Sequence, residues 1–371
     1  MRPLQDVCSD CARRSWTVAR LAGHLEQCRG SGDVVREVLA LDDRSLISAL
    51  GGREMGAILS EWAAVRPTDL LADWSRAGTS AICRHAGTYP GGLLDLADLP
   101  AVLHLHGDPG RLRGLVGPQA RTVAIVGARR ASVEGRETAA ALARGLSAAG
   151  VTVVSGMALG VDSAAHEGAL AAGARTLTVL ACGPSRPYPA RRAALHAELS
   201  QRALVLSELP PGMAPWRWAF PARNRIIAGL AEMTVVVEAA DRSGSLITAD
   251  IALQLGRDVG AVPGSPAVWR SVGSNQLLRD GAVFVRSAED VLDAVLGVGR
   301  TRAAAGGHVP PPPDLEPELV ALLHAVELAD GAVAGLAETP AAARATLAGL
   351  TELELLGLVE HRGGRYVRRR A

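Results

Sequence analysis

The sequence predicts an α/β fold built on a mostly parallel sheet, with a small helical module ahead of it and a helical domain ending in a hairpin behind it. Three observations carry this. Short apolar runs of strand length recur through the middle of the chain, helix-length segments separate them, and several runs stop at small or polar residues. The clearest unit is Val123-Ala-Ile-Val-Gly127 followed by Ala128-Arg129-Arg130-Ala-Ser132, after which Leu142, Leu146 and Ala149 recur at helical spacing as far as Gly150. That is strand, tight turn, helix.

Composition bounds the rest. A chain of 371 residues suits two or three domains, and 48% hydrophobic residues can bury a large core. Aromatics are only 3%, so the core must be Ala, Val and Leu. Every basic residue is an arginine and the formal net charge is +1, which excludes a polybasic coat but permits a local basic cleft. No signal-peptide pattern follows Met1-Arg-Pro, and no apolar run approaches the roughly 18 to 20 residues of a membrane span. The expectation is a cytoplasmic protein with no membrane partner. Five cysteines, an odd number, argue against a disulfide framework.

Residues 1–32 carry Cys8-x2-Cys11-x12-His24-x3-Cys28, the spacing of a four-ligand zinc site and the one cofactor expectation. The same stretch also reads as an amphipathic helix from Arg13 to Leu25, with His24 on a polar face and the thiols incidental. Residues 33–77 are helical, with a Gly51-Gly52 turn between apolar stretches. A helix-hairpin-helix would bind DNA backbone through such a turn, but Asp42, Asp43, Glu54 and Glu61 dilute the basic surface, so a packing module is expected.

Residues 78–297 form the large domain. Ala101 to Gly107 alternates like a strand; His104 and His106 share a face there, without a third ligand. Strands are expected at residues 123–126, 151–155, 176–181, 203–207, 234–238, 259–262 and 282–285. In a doubly wound sheet their carboxyl ends share one crevice, where helix N-termini attract anions. The dinucleotide fingerprint Gly-x-Gly-x-x-Gly is absent: Arg129 stands where the second glycine would admit a pyrophosphate. A guanidinium at that point favours a nucleic-acid phosphate over an NAD-type cofactor. Ser243-Gly244-Ser245 ahead of a helix makes a phosphate nest. Phe220-Pro-Ala-Arg223-Asn224-Arg225 opens another helix. From Arg186 to Arg225 seven arginines face Glu198 and Glu208, a local +5 expected to border the crevice.

Catalytic readings are weaker. A Cys182–His166 nucleophile pair lacks an orienting partner, and Glu208 and Glu238 as paired carboxylates rest only on each ending a strand. No catalytic residue is assigned. Residues 298–314, rich in Gly and Ala and then Pro, are a linker. Residues 315–371 read as three helices and a hairpin at Gly363-Gly364, a winged helix. Six arginines against eight carboxylates give this tail −2, which favours a protein partner over duplex DNA.

Taken in order, Gly127-Ala-Arg129, Ser155-Gly156-Met-Ala-Leu-Gly-Val-Asp162-Ser-Ala-Ala-His166, Gly183 to Tyr188-Pro189, Ser207-Glu208-Leu-Pro, Phe220 to Ile227, Ser243 to Ala249 and Val262-Pro-Gly264 resemble the DNA-processing protein A (DprA, Smf) family over about residues 82–295. The resemblance implies an extended Rossmann-like domain that binds single-stranded DNA, forms a homodimer and loads the RecA recombinase during natural transformation, without enzymatic turnover. It makes Gly127, Arg129, Gly156, Arg191, Arg223, Asn224, Arg225, Ser243, Gly244 and Ser245 the expected DNA-binding set. It also places the dimer interface around residues 276–284, with Leu277, Leu278 and Val283. Two departures stand out. The family's Gly-Ser-Arg is Gly127-Ala128-Arg129 here, and its Ala-Arg-Gly is Ala158-Leu159-Gly160, which removes a cation from the rim. The alternative is a nucleotide-cleaving enzyme of the phosphoribohydrolase type, whose Pro-Gly-Gly-x-Gly-Thr-x-x-Glu signature this sequence lacks.

Overall fold

The structure, a computed structural model, describes residues 4–27, 32–297, 312, 315–328, 340–362 and 365–368. It comprises two compact units, Met1–Thr301 and Arg302–Ala371.

The first unit holds a ten-stranded sheet. Its strands are β1 (Gln5–Asp6), β2 (Ser80–Cys83), β3 (Val102–Gly107), β4 (Thr122–Val126), β5 (Thr152–Ser155), β6 (Thr176–Leu180), β7 (Leu204–Ser207), β8 (Met233–Val236), β9 (Asp258–Ala261) and β10 (Val283–Phe284). They run in the order β1-β2-β3-β7-β6-β5-β4-β8-β9-β10. From β4 to β10 every pair is parallel, while β3 lies antiparallel between β2 and β7. The segment β6-β5-β4-β8-β9-β10 has the strand order 3-2-1-4-5-6 of a Rossmann fold, and the order reverses at β4. That reversal puts the crevice beyond Val126.

Around the sheet lie α1 (Ser9–Arg20), α2 (Ala22–Gln27), α3 (Gly32–Leu39), α4 (Asp43–Leu50), α5 (Met55–Ala64), α6 (Pro67–Arg76), α7 (Leu112–Val116), α8 (Val133–Ala148), α9 (Val161–Ala171), α10 (Ala193–Arg202), α11 (Ala219–Leu230), α12 (Gly244–Gln254), α13 (Val272–Arg279) and α14 (Ala288–Leu296). The central strands read as continuous apolar runs because helices cover both faces, so neither parity of residue faces water. Val123, Ile125, Val153 and Val235 pack on one face with Leu142 and Leu146 of α8. Ala124, Val126, Val154 and Val236 pack on the other with Ile226 and Ile227 of α11 and Ile251 of α12.

The N-terminal helices share a core with this domain. Val18, Leu21, Leu25, Leu46, Ile47 and Ile58 cluster with Ala181, Leu209, Trp218 and Ala222. Trp218 Nε1 donates to the Ala22 carbonyl at 3.0 Å, and Glu26 accepts from Arg217 N at 2.8 Å. Near the Gly51-Gly52 turn, Arg20 pairs with Glu61 at 2.7 Å and Glu54 at 3.3 Å, so that cation is spent within the module.

In the second unit α15 (Pro317–Leu328), α16 (Pro340–Leu355) and the antiparallel pair β11 (Val359–Arg362) and β12 (Arg365–Arg368) are described. Leu319, Leu323, Leu350, Leu353 and Leu358 form their core. Leu336 of the expected middle helix, the Gly363-Gly364 turn and linker residues 298–311 lie outside the described residues. Among the described residues no helix is long and apolar enough to cross a membrane.

Candidate nucleic-acid interface

Beyond Val126 the chain turns at Gly127, and Ser132 caps α8 by accepting from Gly135 N at 2.8 Å. Behind the cap stands Glu238, which accepts from Ser132 N at 2.9 Å and from Ser132 Oγ at 2.5 Å. A carboxylate of the protein itself therefore occupies the anion position that a dinucleotide fold offers at its first helix N-terminus. The cation of this turn that lines the crevice is Arg129.

Arg129 is exposed, and its guanidinium carbon lies 5.3 Å from the centre of the Phe220 ring. It makes no hydrogen bond or ion pair among the described residues, so Glu134 and Glu137 do not hold it. The loop after β5 is folded under it. Asp162 is buried and accepts from Gly156 N at 3.2 Å and Ala158 N at 3.4 Å, while Ser163 Oγ donates to Ala158 O at 2.6 Å. Burial pushes the Asp162 carboxyl upward, against the opposing pull of Arg223 and the two backbone donors. Gly160 takes φ +81° and lies against the Ala128 carbonyl with no room for a Cβ, which clamps this loop onto the first turn.

Across the crevice, α11 and α12 supply the other wall. Asn224 Nδ2 donates to Gly244 O at 3.2 Å, joining the middle of α11 to the start of α12. Ser243 caps α12, accepting from Ser245 N at 3.4 Å, and its hydroxyl lies 2.7 Å from that of Ser245. Gly127, Arg129, Arg223, Asn224, Ser243, Gly244 and Ser245 together line a cavity of about 370 Å³, joined by Phe220 and by Ile247. An exposed cation, an amide, two hydroxyls and a helix N-terminus around a cavity that an aromatic ring also lines can receive a phosphate and offer a flat face to a base. Phe220 was not among the expected contacts. Its place at the start of an arginine-bearing helix was the only signal for it.

The remaining expected contacts are placed differently. Gly156 is the floor of the site: a Cβ there would overlap the Arg223 guanidinium. Arg223 itself is only 6% exposed and donates to the Val179 carbonyl at 2.8 Å, and burial lowers its pKa against the support of Asp162. Arg191 is exposed on the turn Ala190–Arg192, outside the cavity lining. Arg225 must be withdrawn as a DNA contact. It is fully buried, 2.7 Å from Asp98 and 2.9 Å from Glu208. Of the basic segment only Arg223 lines the cavity; Arg192 pairs with Glu167 at 2.7 Å and Arg202 with Glu198 at 2.5 Å in partly exposed ion pairs outside it.

Glu208 and Glu238 are thus held by Arg225 and Ser132. His166 is buried between Thr176 Oγ1 at 2.7 Å and Thr178 Oγ1 at 3.3 Å. On the late edge, Leu277 and Val283 pack toward the protein's own core and Leu278 is half-buried. Of the expected zinc ligands, Cys8 and Cys11 lie together, but beside Cys83 and His85. His24 is not in that group: α1 carries the chain about 13 Å along its axis between Cys11 and Arg20 before α2 begins. Cys28 lies outside the described residues.

Strand order, a crevice at the reversal of the sheet and an exposed arginine in place of a pyrophosphate glycine define a Rossmann-type domain without the dinucleotide fingerprint. Residues 80–296 match the family described as DNA recombination-mediator protein A, and the chain belongs to that family. It is similar to protein Smf of Synechocystis, with 32% identity over 94% of each chain. The putative DNA processing protein DprA of Mycobacterium tuberculosis H37Rv is 41% identical over 70% of this chain, and the match spans 62% of that relative's length. Among solved structures, DprA of Streptococcus pneumoniae superposes with a TM-score of 0.62 at 31% identity, covering 76% of this chain and 98% of that one. DNA processing protein A of Helicobacter pylori does so with a TM-score of 0.53 at 29% identity, covering 59% and 95%.

Proposed function

We propose that this protein binds single-stranded DNA in the crevice beyond β4 and hands it to the RecA recombinase in natural transformation or recombination. The observation that carries the reading is Arg129, an exposed guanidinium without an ion-pair partner among the described residues, opposite Asn224 and the Ser243-Gly244-Ser245 helix start. Phosphate contacts of this kind position a strand without reading its bases, which suits a protein that must accept any sequence. Support comes also from the Helicobacter pylori relative, whose structure concerns a single-stranded DNA binding mode. The family description, recombination-mediator, is the basis for the RecA partner.

The working form in this reading is a homodimer that uses the edge near Leu278. The second unit, with its two described helices and hairpin, is read as a winged helix; its net charge of −2 favours a protein partner over duplex DNA. Titration of fluorescent single-stranded and double-stranded DNA at two salt concentrations tests the function. Preference for the single strand, with affinity falling steeply as salt rises, is expected. Equal binding of both forms, or none, contradicts it. A chain ending at Ala305 should keep its single-strand affinity within tenfold.

A further inference from the structure

We propose that Cys8, Cys11, Cys83 and His85 hold a structural zinc ion that pins the N-terminal segment to the edge of the sheet. One ligand atom from each lies within 4.8 Å of every other. His85 Nδ1 is 3.3 Å from Cys8 Sγ and 3.5 Å from Cys11 Sγ. In a tetrahedral zinc site with bonds of about 2.3 Å to sulfur and 2.0 to 2.1 Å to nitrogen, neighbouring ligand atoms stand about 3.5 to 3.8 Å apart. The four side chains are thus gathered to nearly the spacing that the metal imposes.

The backbone explains how two distant stretches meet. β1 pairs in parallel with β2, Gln5 opposite Ala81 and Asp6 opposite Ile82, so Cys8 comes abreast of the stretch from Cys83 to His85. A turn closed by Ala86 N donating to Cys83 O at 2.9 Å holds that stretch. Cys8 is the N-cap of α1 and Cys11 lies in its first turn, so both thiols leave the same end of one helix. Cys11 and Cys83 are buried with Ala12, Trp74, Ala81 and Val102, an apolar shell that shields the sulfurs from water on that side. Three sulfurs and one imidazole nitrogen in four-coordinate reach are a closed, soft donor set. That set fits zinc in a structural role, with no coordination position left for a reacting molecule.

Full-length protein purified in reducing buffer without chelator should carry about one zinc per chain by elemental analysis. Cys83→Ser and His85→Ala should each lose it, whereas His24→Ala and Cys182→Ser should keep it. Expression with cobalt gives a second reading that needs no variant to fold. Strong visible d–d bands with thiolate-to-metal charge transfer report a tetrahedral, sulfur-rich site. Metal-free wild-type protein, a Cys8–Cys11 disulfide in reducing buffer, a weak octahedral cobalt spectrum, or metal kept in Cys83→Ser but lost in His24→Ala would each overturn the proposal.

Discussion

Arg225 and Asp98 form an ion pair at 2.7 Å whose side chains are 0% and 2% exposed. Glu208 approaches the same guanidinium at 2.9 Å, and the Asp98 carbonyl accepts from both Nε and Nη2. The pair ties α11 to the segment before β3 and to the end of β7. Removing the arginine leaves Glu208 without its partner and the buried Asp98 with only Arg36, at 3.6 Å. Arg225→Ala should therefore cost about 3–5 kcal/mol in urea unfolding, the usual penalty for breaking a buried pair. Its folded fraction should bind DNA with an unchanged salt dependence; a stable variant with a reduced salt slope would return Arg225 to the DNA surface.

The buried imidazoles make stability depend on pH. Burial lowers the pKa of His166 and of His104 to about 3, against an ordinary value near 6.5. Between these values the unfolded chain binds protons that the folded chain does not. The stabilisation is complete above about pH 6.5 and declines as pH falls toward 3, by about 1.4 kcal/mol per pH unit for each histidine. In urea unfolding between pH 6.5 and 4.5, His166→Gln should show a slope shallower than wild type by about that amount. Equal slopes would mean that His166 is protonated in the folded state.

The edge near α13 carries the proposed dimer. Leu278 is half-buried, so a carboxylate there can reach water in a monomer but not within an apolar interface. Leu278→Glu should run as a folded monomer in light scattering at concentrations where wild type is a dimer. A retained dimer would place the interface elsewhere.

Much of the fold could be read from sequence because buried parallel strands announce themselves. Thr122 to Val126 and Met233 to Val236 are unbroken buried runs, and the crevice residues follow directly from where such runs stop. What stayed hidden depended on partners far along the chain. A count of arginines from Arg186 to Arg225 cannot register that Asp98 neutralises one of them from 127 residues away. Nor does the turn after β4 disclose that Glu238, 106 residues on, fills the first helix N-terminus. Nor does the sequence reveal Cys83 and His85 beside Cys8, because the two-residue strand that aligns them, Gln5–Asp6, is too short to show periodicity.

In the proposed function Arg129 meets a DNA phosphate. Arg129→Ala breaks no hydrogen bond or ion pair among the described residues and loses the contact with the Phe220 ring, while Arg223 still faces the buried Asp162, so its melting temperature should stay close to that of wild type. Its affinity for single-stranded DNA should fall by similar factors for all sequences. The measurement that bears on this most directly is the dependence of log affinity on log salt for wild type and Arg129→Ala side by side. The slope should drop by about 0.7, the value for one counterion released from a single strand. An unchanged slope in a variant of wild-type stability would contradict the assignment and remove the crevice from the DNA path.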